Sequence, residues 1–203
     1  FCRGDDIHLQ TAMEIFGLPK EAITKDMRRV GKTVNFGIVY GIRPFGLASN
    51  LGILQSEAKR YIDLYFAHFN GVRQFIDQTI IETSQKGFVQ TVLGRRRAIP
   101  ELASSNKNLR EAGERLAVNT MIQGSAADII KVAMIRIAQW IREAHLKSRM
   151  ILQVHDELLF EVPEEEMVIM RPKVVSFMEE AIFLSVPMKV DVGVGANWWA
   201  AKG

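Results

Sequence analysis

The stretch ILQVHDELLFEV, residues 151–162, sets His155 and Asp156 at the centre of an apolar run. Two apolar segments around a two-residue polar centre suit a tight β-hairpin with the carboxylate at its tip. If the strands bury their apolar residues, Asp156 is carried into a cleft, where a carboxylate is costly unless it is paired or binds a metal. Glu157 adds a second oxygen ligand, and hard oxygen ligands suit Mg²⁺, which binds through one or two carboxylates together with substrate phosphates. An exposed turn, where Asp is common, fits the same residues.

Working outward from the hairpin, the pattern is helical on both sides. Upstream, a long helical pattern runs from about residue 108 to 147, with an interruption expected near Gly124. Downstream, Pro163 followed by three glutamates starts a helix expected to end near Ser185, and VPMKVDVGVG, 186–195, reads as a last strand. Further back, FVQTVLGRRRAIP, 88–100, alternates, turns at Gly94 and stops at Pro100, which predicts strand, turn, strand. A helix is predicted over about 56–86, ended by Gly87. Another starts at Thr24 as N-cap, with Asp26 in its first turn and Gly41 beyond its end. DIHLQTAMEIFG, 6–17, reads as a short helix capped by Asp5 or Asp6 and ended by Gly17. Helices followed by a small antiparallel sheet with helices on it make the fold class α+β.

Three further groups of residues carry chemistry. In RRVGKTVNFGIVYG, 28–41, a turn of 100° per residue puts Arg28, Lys32, Phe36 and Tyr40 along one stripe. Val30, Val34 and Ile38 fall on the opposite side and face a core. Cations in line suit a polyphosphate, and rings one turn further on suit a sugar and base. A solvated basic face with two half-buried rings fits the same spacing. Arg115, Asn119 and Gln123 recur every four residues and share a helix face. Their side chains all donate hydrogen bonds, matching the acceptors that every base pair offers in the minor groove, although a polar helix face needs no ligand. In GRRR, 94–97, Arg95, Arg96 and Arg97 form a local positive spot suited to phosphate or to a solvated turn.

The bulk composition restricts little. Of 203 residues, 48% are hydrophobic and 24% charged, an ordinary globular balance, and the net charge of +3 is compatible with a nucleic-acid partner. The one cysteine, Cys2, excludes an intrachain disulfide and fits a reducing compartment. No apolar run reaches the ~20 residues of a membrane helix. The first residue is Phe1, which suggests a piece of a longer polypeptide.

Taken together, these stretches resemble the polymerase domain of the family A DNA polymerases of the bacterial DNA polymerase I kind. DIHLQTA resembles the family pattern DIHxxTA; RRVGKTVNFGIVYG resembles motif B, RRxxKxxNFGxxYG; TVLGRRR resembles TxxGRRR. RLAVNTMIQGSAADIIKVAM resembles the helix before motif C, VHDELLFEV resembles motif C itself, and VPMKVDVGVGANW resembles the C-terminal ending. They occur in family order across essentially the whole chain. The resemblance implies a right-hand architecture: residues 1–90 a fingers-like helical region with motif B, and residues 91–203 a palm-like region with motif C. It implies templated addition of deoxynucleotides to a primer 3′-hydroxyl by two-metal nucleotidyl transfer with two Mg²⁺ ions. Asp156 and Glu157 would be catalytic and metal-binding. Lys32, also catalytic, would hold the incoming triphosphate with His8 and Arg28. Phe36 would lie against the sugar, while Tyr40 and Gly41 shape the pocket for the new base pair. Arg95 and Arg96 would contact DNA, and Arg115, Asn119, Gln123 and His155 would line the minor groove of the primer-template. The implied partners are primer-template DNA and deoxynucleoside triphosphates. The implied state is a monomer in the bacterial cytoplasm, at the nucleoid, with no membrane.

The sequence departs from the family in one respect that matters. Motif A, a DYSQIELR-like strand carrying a second metal aspartate, is absent, and so is the thumb; the chain starts inside the FxxGxDIH pattern that follows motif A. The expectation is therefore a piece of an active enzyme that is inactive alone, with an exposed edge on the palm sheet. Gly31, often Ala in the family, is expected to weaken its helix by roughly 1 kcal/mol. Neither Gly31 nor Arg43, often Ser, is expected to touch the chemistry. The competing expectation is a primer-template DNA-binding module of the same family without catalysis. A single-subunit RNA polymerase fits less well, because of the NFG and QGSAAD patterns.

Overall fold

The computed structural model describes residues 4–202; Phe1 and Cys2 lie outside them. The elements in chain order are α1 (Ile7–Phe16), α2 (Lys25–Val39), α3 (Pro44–Leu51), α4 (Gln55–His68), α5 (Asn70–Lys86), β1 (Phe88–Gln90), β2 (Arg96–Ala98), α6 (Lys107–Glu143), β3 (Arg149–Val154), β4 (Glu157–Glu161), α7 (Met167–Glu179) and α8 (Trp198–Ala201). Short 3₁₀ turns lie at Lys20–Ala22, Pro100–Ala103 and Glu164–Glu166. The chain is thus mostly helical, with two small antiparallel sheets, β1–β2 and β3–β4. It divides into two compact units, residues 1–124 and 125–203, and the division falls inside α6.

In the first unit the helix ends follow the capping residues. Asp6 caps α1 and Gly17 closes it in the left-handed conformation at φ 65°. The Thr24 hydroxyl accepts from the Met27 amide at 3.2 Å. The apolar side of α2 is buried as its spacing requires: Val34 and Ile38 pack with Ile15, Leu47, Tyr61 and Tyr65. Each fully buried aliphatic side chain of this kind contributes about 1.5–3 kcal/mol. A second cluster, Val89, Ile99, Leu102 and Ala117, joins the β1–β2 hairpin to α6. In the second unit Ala133, Ile137 and Ala181 form the core, with Met150, Leu158 and Phe160 of the hairpin packed on it.

Several elements differ from the sequence expectation, each for a local reason. The helix expected over 56–86 is two helices. Phe69 between them leaves helical geometry (φ −103°, ψ 58°), and its ring packs 4.9 Å from that of Tyr65 and 4.5 Å from that of His68. The weak helix formers Asn70 and Gly71 follow, so packing the half-buried ring outweighs helical continuity. Helix α3 was not expected, although Pro44 stands in its first turn and Gly52 closes it at φ 66°. Helix α6 runs through Gly124 without a break. A Cβ at Gly124 would come 2.8 Å from the Thr91 methyl, so the glycine serves the approach of the β1–β2 turn. Helix α7 ends at Glu179, short of Ser185, and residues 186–195 form no strand. The β3–β4 sheet therefore has two strands, with Ile151 and Leu152 of β3 exposed by 55% and 45%.

Gly31 also corrects its expectation. It is buried, and a Cβ there would overlap the His8 carbonyl oxygen and lie 3.0 Å from the Ala12 amide nitrogen. Its missing side chain is what lets α2 back directly onto α1. One turn on, buried Asn35 donates to the Thr11 hydroxyl at 2.7 Å and to the Gly31 carbonyl at 2.8 Å. Thr11 donates in turn to the Ile7 carbonyl at 2.9 Å. Buried polar groups joined this way fix the register of the two helices.

Candidate functional site

In the first unit, the outer stripe of α2 lies as its spacing requires. Arg28, Lys32, Phe36 and Tyr40 are all exposed, the two rings by 46% and 47%. The Phe36 and Tyr40 rings are nearly parallel, 18° apart in plane, with centroids 6.5 Å apart. The Lys32 ammonium sits 5.8 Å from the Phe36 centroid, within reach of a cation–π contact. Helix α1 brings His8 to the same place, its ring centroid 5.6 Å from that of Phe36. Two cations, an imidazole and two rings therefore share one surface, ordered from charge to aromatic.

The electrostatics of this surface follow from its neighbours. Arg28 Nε donates to Asp6 Oδ2 at 2.7 Å, and that bond holds the Asp6 carboxyl below its usual range. Burial pushes the His8 imidazole down; Asp6 opposes this, and the charges of Arg28 and Lys32 add to it. His8 is thus biased toward the neutral form, and its Nδ1 is buried without a hydrogen-bond partner among the described residues.

Beyond Tyr40 the chain turns through Gly41 at φ 72°. The Arg115 side chain of α6 lies directly over it: a Cβ on Gly41 would meet Arg115 Cγ at 2.7 Å. Only glycine meets both conditions, the left-handed backbone and the close approach. The resulting cleft, about 610 Å³, is lined by Lys32, Phe36, Tyr40, Gly41, Arg43 and Arg115, among others. Arg43, expected to lie away from the chemistry, borders this cleft, held by Glu114 at 3.2 Å and Glu111 at 3.7 Å. Further along α6, Asn119 has a buried side-chain oxygen without a partner among the described residues, and Gln123 is exposed. At the β1–β2 hairpin Arg95 and Arg96 are exposed, with Arg96 4.7 Å from the Phe88 ring centroid. Arg97 instead donates to the Thr120 hydroxyl at 3.1 Å and ties the hairpin to α6.

The second unit carries the β3–β4 hairpin. Val154 pairs with Glu157, so His155 and Asp156 are its two-residue loop. His155 takes φ 53°, a conformation a two-residue hairpin turn demands and one usually filled by Gly, Asn or Asp. The backbone is steadied by Gln153, whose side-chain amide donates to the His155 carbonyl at 2.5 Å. Asp156 is exposed rather than set in a cleft of its own unit, and has no hydrogen-bond or ion-pair partner among the described residues. Glu157 Oε2 pairs with Lys202 Nζ at 3.2 Å. Among the described residues no three His, Cys, Asp or Glu side chains gather to hold a metal ion. Asp156 is the last residue of the loop and Glu157 the first of β4, so the two carboxylates are neighbours in sequence. They fit as contributors to a Mg²⁺ site, not as a complete one.

Sequence reading missed five residues that build this surface: Asp6 as a holder of Arg28, Gly31, Asn35, its partner Thr11, and Arg43. Asp6 was legible only as a helix cap. The others depend on which helix packs against which, and nothing in their spacing reveals it.

The DNA polymerase family A model matches residues 1–200. The chain is 52% identical over 202 residues to DNA polymerase I of Bacillus subtilis and 52% identical over 202 residues to that of Geobacillus stearothermophilus. All of this chain is covered in both cases, but only 23% of each relative, so it spans about a quarter of their length. Among solved structures it resembles the polymerase domain of Pol1 from M. smegmatis in complex with DNA primer-template and dNTP, with a TM-score of 0.94 and 47% identity over 99% of this chain and 35% of that one. No helix among the described residues is long and apolar enough to cross a membrane. The motifs along α1, α2, α6 and the β3–β4 hairpin are accounted for together: the chain belongs to DNA polymerase family A.

Proposed function

We propose that these 203 residues are the nucleotide-gripping and primer-template-gripping part of a template-directed DNA polymerase, which adds deoxynucleotides to a primer 3′-hydroxyl and releases pyrophosphate. The carrying observation is the order of groups on one surface: Arg28, Lys32 and His8 for the phosphates, Phe36 for the sugar, and Tyr40 with Gly41 at the mouth of a cleft for the base pair. A triphosphate is met by a fork and a point charge, and a neutral or cationic imidazole adds a donor. The solved relative's complex with primer-template and dNTP supports the same partners here.

In this reading residues 1–90 act as fingers and residues 91–203 as palm of a right hand. The stripe of Arg115, Asn119 and Gln123 donates into the minor groove, with His155 beside the primer end and Arg95 and Arg96 on the backbone phosphates. Mg²⁺ ions, when bound, supply charge stabilisation for phosphoryl transfer. Asp156 offers an exposed carboxylate for one of the two, and Glu157 stands next to it. The second aspartate of the family scheme is not among these 203 residues, so the chain alone is proposed to be inactive, acting as a monomer within a longer bacterial enzyme. The alternative is a primer-template DNA-binding module of the same family without catalysis.

Primer extension with Mg²⁺ and deoxynucleotides separates the two. A polypeptide that joins this chain to a motif A strand is expected to extend a primer, while the 203 residues alone bind primer-template without extending it. Failure of both to extend, with both folded and bound to DNA, would leave the binding module.

A further inference from the structure

Asp6 does two things at the polyphosphate end of α2, and each uses a different oxygen. Oδ1 accepts from the backbone N–H groups of His8 (3.0 Å) and Leu9 (3.2 Å), which caps α1. Oδ2 accepts from Arg28 Nε at 2.7 Å. A guanidinium is planar and carries five N–H donors. Held at Nε, it has its plane fixed while the two terminal nitrogens stay available for the paired oxygens of a phosphate. The same carboxylate therefore ties together the helix turn that carries His8 and the arginine that faces the same surface. Gly31 and the Asn35–Thr11 bond hold the two helices at the spacing this requires.

We infer that Asp6 is a positioning residue for the triphosphate: it fixes Arg28 to the first turn of α1, so that Arg28 and His8 meet the ligand as one unit. This rests on the reading of the α2 face as a nucleotide site. A carboxylate so close to a phosphate site would, acting as charge alone, simply repel every anion. Positioning does something else. It favours the ligand whose phosphates, sugar and base must all fit at once over one that is merely anionic.

The test compares a deoxynucleoside triphosphate with inorganic tripolyphosphate, binding each to the chain and to three variants by calorimetry at fixed salt. Asp6→Asn keeps a capping side chain, but with its oxygen on the helix it turns no acceptor to Arg28. Arg28→Lys keeps the charge and removes the fork. Both are expected to lower the preference for nucleotide over tripolyphosphate by about two- to fivefold, the scale of one exposed charge-assisted contact. The Arg28 Nε–H resonance should exchange more slowly in the parent than in Asp6→Asn while the thermal midpoint stays put. Equal tightening of both ligands in Asp6→Asn, with the preference unchanged there and in Arg28→Lys, would reduce Asp6 to a counter-charge and overturn the inference. Arg28→Ala is the control on the underlying reading. If it leaves both affinities unchanged, the nucleotide site itself is wrong and the inference falls with it. If it weakens both while Asp6→Asn leaves the preference intact, only the role of Asp6 is wrong.

Discussion

The α2 face and the β3–β4 hairpin tip both carry residues proposed to be functional, yet they are built in opposite ways. Along α2 and the turn after it the residues brace one another. Arg28 is held by Asp6, Lys32 lies by Phe36, Gly41 lies under Arg115, and Arg43 is anchored to Glu111 and Glu114. At the hairpin tip Asp156 stands exposed without a partner among the described residues, on a turn that holds His155 at a positive φ. A braced surface binds with little reorganisation. A bare carboxylate on a defined turn waits for its partner to come from elsewhere, and its value lies in position rather than in any contact it makes now. The two regions should therefore respond to substitution in opposite currencies, stability for the first and activity for the second.

The largest effect expected is on activity. Asp156→Ala, in a polypeptide that includes a motif A strand, should reduce primer extension by roughly 10³-fold or more, the scale of losing a metal-anchoring carboxylate. Its stability should change by no more than about 0.5 kcal/mol, because an exposed, unpartnered side chain is removed. Extension assays alongside urea titrations check both halves; a large fall in stability would mean the hairpin tip is braced after all. Next in size is Gly31→Ala. Helix propensity alone favours Ala by about 1 kcal/mol, but the new methyl would overlap the His8 carbonyl oxygen. Overpacking against backbone costs about 1–3 kcal/mol, so net destabilisation is expected. Urea denaturation gives the sign directly, and a stabilised variant would show that α1 yields easily.

What the sequence makes legible follows the same division. Amphipathic spacing put Val34 and Ile38 inside and Lys32 and Phe36 outside, because a helical period alone decides that. Caps at Asp6, Thr24, Gly17 and Gly87 marked helix ends, because capping chemistry is local. The turn at His155-Asp156 could be read for the same reason. The break at Phe69, the unbroken helix through Gly124 and the lack of a strand over 186–195 could not. Each depends on what packs there: a half-buried ring, a neighbouring threonine, an edge with no partner among the described residues. Within the candidate site, the residue types suited to a nucleotide were readable from spacing, whereas the braces behind them, Asn35 to Thr11 and Arg43 to Glu114, join residues 24 and 71 positions apart. No local pattern encodes such pairs.

A third prediction asks whether the hairpin unit has any brace of its own. Glu166 accepts from the Lys147 amide (2.8 Å), the Ser148 amide (2.9 Å) and the Ser148 hydroxyl (2.5 Å), which ties the start of β3 to the turn before α7. The Ser148 hydroxyl first, then the Lys147 amide, hold its carboxyl below the ordinary value of 4.5. A folded-state pKa below the unfolded one means that this contribution is complete above about pH 4.5 and is lost as pH falls through the depressed value. Glu166→Gln should therefore lower the thermal midpoint near neutral pH and flatten its decline below pH 4.5. Parallel pH–melting curves for parent and variant would reject the role of this carboxylate.

The smallest expected change in stability separates the two regions most cleanly. His155→Gly removes a side chain from a left-handed position, relieving backbone strain of about 1 kcal/mol, while glycine's extra freedom in the unfolded chain costs a similar amount. The two nearly cancel, so denaturant midpoints should agree within experimental scatter. Affinity for primer-template, read by fluorescence anisotropy, should still fall if the imidazole lies beside the primer end. Unchanged affinity would mean that His155 serves only the turn and that glycine does that job as well. The hairpin would then contribute Asp156 to function, and its backbone the rest.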